Sequence, residues 1–240
     1  DMVGKVGKGM PEWFTYAKAR ASFAQVGNDM DAYQLYNTYS IGSDPNGNTT
    51  AGQGKTKYDA DVRSELITSW EAGAELKFFN NRLGVDFAWY KTNAKRQLMN
   101  IPLNNLSGYD NMKVNAGNIQ NTGIEIMLNA RPIETAQFSW DTQLNFSQNK
   151  SKIIELLPGK PGMQYALGGS DALQVYAVAG GAYGEIWGTK YQRVEEGEFK
   201  GQLLLNESGL PQATSDKHKI GEQQPDFLLG LSLIHISEPT

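Results

Sequence analysis

Between residues 69 and 149 the chain holds four long stretches that alternate, residue by residue, between two unlike chemistries. In residues 69–79, Trp70, Ala72, Ala74, Leu76 and Phe78 interleave with Glu71, Gly73, Glu75 and Lys77. Residues 83–90 set Leu83, Val85, Phe87 and Trp89 against Gly84, Asp86, Ala88 and Tyr90. Residues 122–131 set Ile124, Ile126, Leu128 and Ala130 against Glu125, Asn129 and Arg131. Residues 138–147 set Phe138, Trp140, Thr142, Leu144 and Phe146 against Asp141, Gln143, Asn145 and Ser147. A period of two belongs to β-strands, whose side chains point alternately to opposite faces of a sheet. Runs of roughly ten residues with an apolar outside and a charged inside are what a transmembrane β-barrel requires. That pattern constrains the fold more than any local motif.

Composition excludes classes rather than assigning one. The 240 residues suffice for a sizeable core in one or two domains. No stretch approaches the roughly eighteen consecutive apolar residues of a membrane-spanning helix. A barrel has no such requirement, because only every second residue faces lipid. The net charge of −4 and the absence of a basic stripe argue against nucleic-acid binding. With no cysteine there is no disulfide framework, thiolate zinc site or cysteine nucleophile. No signal peptide opens the chain, which leaves two readings: a cytoplasmic protein, or a start that is missing.

Further strands are expected at residues 14–26, where Ala17, Ala19, Ala21 and Phe23 alternate with Lys18, Arg20 and Ser22, and at residues 33–41, 96–101 and 183–194. Beyond the last of these the chain reads as polar and irregular up to Pro225-Asp226-Phe227. Connections then alternate in length. Residues 27–32, Asn80-Asn81 and residues 132–137 read as short, whereas residues 42–61, 93–115 and 150–181 read as long loops. Outer-membrane barrels show this asymmetry, with short periplasmic turns and long extracellular loops. The three short connections are therefore expected in the periplasm. Aromatic residues near the predicted strand ends, among them Trp70, Phe78, Trp89, Phe138 and Trp140, suit the girdles of such a barrel.

Catalytic motifs are not found. Gly54-Lys55-Thr56 resembles the end of a phosphate-binding loop, but Thr49 stands where its first glycine belongs and no strand and helix flank it. The glycine–lysine repeats at residues 4–9 and the glycines at 180–184 read as turns. Asp44, Asn46 and Asn48 have calcium-loop spacing, but the twelfth position is Lys55 rather than Glu. Glu71 and Glu75 share a strand face at a separation of roughly 13 Å, too wide for a glycosidase pair. His218 and His235 are the two histidines, too few for a metal site or a triad. An enzyme is not expected, nor a cofactor or metal.

Four blocks carry a family likeness. Residues 69–83, SWEAGAELKFFNNRL, resemble a barrel hairpin of the SusC/RagA family of TonB-dependent outer-membrane transporters. Residues 115–125, NAGNIQNTGIE, are similar to that family's N-A-G-x-I-x-N-x-G-x-E stretch. Residues 18–29, KARASFAQVGND, are similar to its L-K-x-R-x-S-x-x-x-V-G-N-D stretch from the lysine on, and Ile220-Gly221 with Pro225-Asp226-Phe227 matches its I-G-x-x-x-P-D-F. The resemblance implies an all-β fold: a partial arc of a large antiparallel transmembrane β-barrel, one of 22 strands around a plugged lumen. Residues 1–230 would be part of the TonB-dependent receptor β-barrel domain, supplying seven to nine strands. The signal peptide, TonB box, plug, early strands and final strand would be missing. Residues 231–240, LSLIHISEPT, resemble a translated sequencing adapter and are expected to be a non-native tail.

By this resemblance the protein is a fragment of an active transporter importing large nutrients, glycans or peptides, in the outer membrane of a Gram-negative bacterium. Its partners would be outer-membrane lipid, TonB–ExbB–ExbD through the missing parts, and a SusD-like surface lipoprotein that lids the mouth. Glu71, Glu75, Asp86, Tyr90, Glu125 and Asp141 are the lumen-facing candidates. The long loops at residues 93–115 and 150–181 would meet the lipoprotein or the substrate. The alternative is a secreted, soluble β-sandwich that binds carbohydrate on exposed Trp and Tyr. That fold would need its apolar faces to meet in a core.

Overall fold

The structure, a computed structural model, describes residues 2–4, 11–30, 35–36, 38–59 and 61–237. It is all-β. In chain order the strands are β1 (Met2–Gly4), β2 (Phe14–Asn28), β3 (Tyr39–Ser43), β4 (Thr49–Gln53), β5 (Thr56–Tyr58), β6 (Glu65–Phe78) and β7 (Leu83–Pro102). They continue as β8 (Asn111–Glu134), β9 (Phe138–Glu155), β10 (Gln164–Gly169), β11 (Leu173–Val178), β12 (Tyr183–Gly188), β13 (His218–Glu222) and β14 (Leu228–Ser237). No described helix is long and apolar enough to cross a membrane, which says nothing of strands. The chain divides into two compact units, residues 1–149 with 227–240, and residues 150–226.

The first unit is a wall of long strands in the order β1-β2-β6-β7-β8-β9-β14, with β5 added to β8. It is an open arc, bounded by β1 at one edge and β14 at the other. Its apolar face comes straight from the alternation. Phe23 pairs with Trp70, Ala21 with Ala72, Ala19 with Ala74 and Phe14 with Phe78, and across the next ladder Ala72 faces Trp89 and Leu76 faces Val85. Two aromatic clusters bracket this face. Phe23 and Trp70 lie 4.5 Å apart at one end. At the other, Trp13 stacks on Phe78 at 5.8 Å and Phe14 packs against Phe78 at 5.4 Å. From Phe78 to Trp70 the strand runs roughly 26 Å, which tilted by about 40° gives a band about 20 Å tall. Past Trp70 the same face turns polar with Lys91, Asn93 and Lys95. Phe23 and Trp70 are each 54% exposed, so no core closes over them as the β-sandwich alternative requires.

Connections differ from expectation in three places. Asn80-Asn81 sits in a four-residue loop, 79–82, because Phe78 still pairs with Leu83. Phe79, Asn80 and Asn81 are all left-handed (φ 52, 54 and 67°), a conformation asparagine tolerates and phenylalanine rarely adopts. The Phe79 amide is anchored on the Trp13 carbonyl at 2.7 Å. The expected short connection 27–32 does not join β2 to its wall partner, and its residues 31–32 lie outside the described residues. Tyr39–Ser43 pairs locally with Thr49–Gln53, so β2 meets β6 only across residues 29–64; residues 33–34 and 37 of the expected strand lie outside the described residues, as do 5–9 of the glycine–lysine repeats. Residues 93–115 are largely strand, since β7 and β8 stay paired from Leu83↔Ala130 to Pro102↔Asn111. Arg96 and Gly117, opposite each other in that ladder, are both left-handed (φ 58 and 81°).

The long connection 29–64 is tied to the far end of β8. Thr56–Tyr58 pairs in parallel with Asn111–Lys113. The Asn115 side chain clasps the Arg63 backbone, accepting from its N–H at 2.5 Å and donating to its carbonyl at 2.7 Å, and also donates to the Arg96 carbonyl at 2.8 Å.

The second unit corrects the expected loop at 150–181 and the expected strand at 183–194. Four short antiparallel strands run in the order β10-β11-β12-β13, and β12 ends at Gly188. Ile153, fully buried, is bonded through its backbone to Gly180 and Gly181. Farther on, the backbone closes a ring. Gln192 donates to Gln212, Gln212 to Leu204 and Leu204 to Gln192, each at 2.8–2.9 Å.

Candidate functional site

The polar face of the wall gathers the ionisable residues. Lys18 stands opposite Glu75, Arg20 opposite Gly73 and Ser22 opposite Glu71. Glu71 stands opposite Tyr90, Gly73 opposite Ala88 and Glu75 opposite Asp86. Ala88 in turn faces Glu125, and Tyr90 faces Gly123. Five of the six sequence candidates, Glu71, Glu75, Asp86, Tyr90 and Glu125, therefore share one face of β6, β7 and β8. Asp141 joins that face nearer the short turns, where it accepts from Arg131 Nε at 2.7 Å.

Like charges directly opposite each other on a sheet repel, so the Glu75–Asp86 pair needs cations nearby. Lys77 Nζ lies 3.1 Å from Glu75. Arg20 reaches Asp86 with both fork nitrogens, at 3.0 and 2.6 Å, and its Nε is 3.9 Å from Glu71. A planar fork on two carboxylate oxygens is the strong form of this contact. Tyr90 donates to Asn149 Oδ1 at 3.3 Å. Glu125 makes no ion pair among the described residues. It lines a shallow depression of about 390 Å³ with Asn145, Ser147 and Gly230. Sequence reasoning missed Arg20, Arg131 and Asn149 as partners. Arg20 and Arg131 carried a signal, their cations alternating at the same period as the carboxylates; Asn149 carried none.

The second unit holds one buried carboxylate, Glu185, at 5% exposure. Lys219 Nζ lies 2.9 Å from it, the Trp187 indole donates at 3.1 Å and the Ala182 amide at 3.2 Å. Burial pushes this carboxyl up, but the three donors together outweigh burial and hold it below the ordinary carboxylate range. Lys219 is held above its usual value, first by its bond to Glu222 at 2.6 Å and then by Glu185. Among the described residues no group of His, Cys, Asp and Glu could hold a metal ion.

A meander of long strands with an apolar face, aromatic clusters at both margins of that face and an ion-paired opposite face defines the wall of a large β-barrel. The chain belongs to the family described as TonB dependent receptor-like, β-barrel, which it matches over residues 11–212. It is similar to the TonB-dependent receptor SusC of Bacteroides thetaiotaomicron, 28% identical over 223 residues, or 86% of this chain and 22% of SusC. It is also similar to the TonB-dependent receptor P3 of Formosa agariphila, 27% identical over 238 residues, or 90% of this chain and 24% of that receptor. The solved RagAB peptide transporter shares the fold, with a TM-score of 0.73 and 18% identity over 96% of this chain and 26% of the RagAB chain. The chain thus spans about a quarter of the length of these relatives. By their names SusC and P3 are TonB-dependent receptors and RagAB is a peptide transporter.

Proposed function

We propose that this chain is wall of an outer-membrane active transporter that imports large nutrients, glycans or peptides. The observation that carries the reading is the match to SusC along most of the chain, together with a wall that is apolar on one face and ion-paired on the other. On this reading the apolar face meets lipid. Glu71, Glu75, Asp86, Tyr90, Glu125 and Asp141 face the lumen, where they hydrate it or brace a plug. Strand closure and plug come from the remainder of a longer receptor. TonB–ExbB–ExbD supplies energy, a SusD-like lipoprotein lids the mouth, and import proceeds by alternate opening of lid and plug without covalent chemistry.

The short turns at 79–82 and 135–137 are then periplasmic, and the connections 29–64, 103–110 and 156–227 extracellular. The last two are the surfaces for lipoprotein or substrate. Residues 231–240 are a foreign tail. In its support, from Ile234 onward the chemistry of the neighbouring β9 is reversed: Ile234 and Ile236 stand opposite Asp141 and Ser139 on the polar face, and His235 and Ser237 opposite Trp140 and Phe138 on the apolar face.

The test is deletion of 156–227 from the full-length receptor co-expressed with its lipoprotein. The barrel should still assemble, while co-purification of the lipoprotein and uptake of labelled oligosaccharide and peptide pools are lost. Retained capture and import would refute the loop assignment. Uptake by the intact receptor that persists without TonB would refute the transporter reading.

A further inference from the structure

Two side chains on the polar face reach past the neighbouring strand to the one beyond. Arg20 of β2 bonds Asp86 of β7 across β6, and Tyr90 of β7 bonds Asn149 of β9 across β8. Side chains on a sheet ordinarily stand away from it, so lying flat over a strand requires an empty position there. Each crossing has one: Gly73 is the register partner of Arg20, and Gly123 that of Tyr90. A Cβ on Gly73 would stand 2.7 Å from Arg20 Nε and 2.7 Å from the Phe87 carbonyl oxygen. A Cβ on Gly123 would fall inside the contact distance of the Tyr90 ring and hydroxyl, and 2.7 Å from the Gln148 carbonyl oxygen. Neither glycine has a positive φ. The demand for glycine at both places is for space and not for backbone freedom.

We infer that Gly73 and Gly123 are positioning residues, seats over which Arg20 and Tyr90 lie to lace five successive strands together through β7. Ladder hydrogen bonds join each strand only to its neighbours and leave the sheet free to bend about each strand. A tie from β2 to β7 opposes bending at β6, and a tie from β7 to β9 opposes bending at β8. The pair fixes the local curvature of the wall, and with it the approach of strands that must close a barrel. This inference rests on membership of the barrel family and is independent of the import reading.

The experiment measures the yield of folded, heat-modifiable barrel in the outer membrane for the full-length receptor carrying single substitutions. Gly73→Ala and Gly123→Ala should each lower that yield severalfold, because stability losses of the size that overpacking causes change a protein's abundance in cells several-fold. Gly84→Ala, on the same face, should leave the yield unchanged, since its added Cβ meets nothing closer than 3.9 Å. Adding Tyr90→Ala to Gly123→Ala, or Arg20→Ala to Gly73→Ala, should recover part of the lost yield by vacating the seat. Yields for both single variants equal to Gly84→Ala would overturn the inference. So would double variants no better than the singles, since the neighbouring carbonyls alone would then dictate the glycines.

Discussion

Removing Arg20 measures what the polar face depends on. Its fork makes two charge-assisted bonds to Asp86, and the two side chains are 29% and 34% exposed. Hydrogen bonds to charged groups contribute about 1.5–3 kcal/mol when desolvated, and fully exposed ion pairs about 0.2–1 kcal/mol. Two such bonds, discounted toward the exposed-pair range because a third of each side chain is in solvent, come to about 2 kcal/mol. Arg20→Ala also leaves Asp86 facing Glu75 directly across the ladder, which adds a repulsion of about 0.2–1 kcal/mol. The expected loss is therefore about 2–3 kcal/mol. A double-mutant cycle with Asp86→Ala isolates the pair. Urea titration of the full-length receptor in detergent, followed by heat-modifiable mobility, should give a coupling energy near 2 kcal/mol. A coupling below about 0.5 kcal/mol would place the pair with ordinary surface bridges and refute the claim that it holds strands.

Three other outcomes are expected. Because Glu185 is held below the ordinary carboxylate range, the unfolded segment binds its proton at higher pH than the folded one; protection of β12 and β13 amides from hydrogen exchange should be full above about pH 4.3 and fall on further acidification. Glu185→Gln should flatten that dependence, and an unchanged slope would assign the acid sensitivity elsewhere. Asn115→Ala removes three bonds that clasp Arg63 and Arg96, so residues 54–64 should be cleaved faster by protease in the folded receptor, with a local loss of about 1–3 kcal/mol; equal cleavage rates would make the clasp incidental. Spin labels on Ala72→Cys and Glu71→Cys in the membrane-inserted receptor should be accessible to oxygen and to a polar relaxant respectively, and identical accessibility would sink the assignment of the apolar face to lipid.

The faces of β6 to β9 were legible because alternation is local: each residue's side of the sheet follows from its neighbours in the chain. Partner choice is not local. Nothing in residues 33–41 distinguishes a wall strand from the five-residue β3, which turns back on Thr49–Gln53 instead. The strand expected at 96–101 is the far part of β7, but the chain could not reveal that β7 runs unbroken from Leu83 to Pro102 with β8 paired along it. Past Lys91 the alternation lapses: Asn93 donates to Asn118 on the apolar face's extension, while farther along Val114 and Ala116 are buried, so no clean period of two is left to read. The site divided in the same way. That Glu71, Glu75, Asp86, Tyr90 and Glu125 share a face was readable. That Arg20, 66 residues from Asp86, is the cation between them depends on the register of β2 against β6.

The parallel pairing of Thr56–Tyr58 with Asn111–Lys113 carries a consequence in time. Residues 56–58 have nothing to pair with until β7 has turned back against β6 and β8 has followed it. Each antiparallel hairpin of the wall can form as soon as its second strand arrives; this stitch cannot, and closing so long a loop is among the slower steps available to a chain. The pairing that secures the connection 29–64 is thus made late in the assembly of this part of the wall, since it waits for β6, β7 and β8 to be in place.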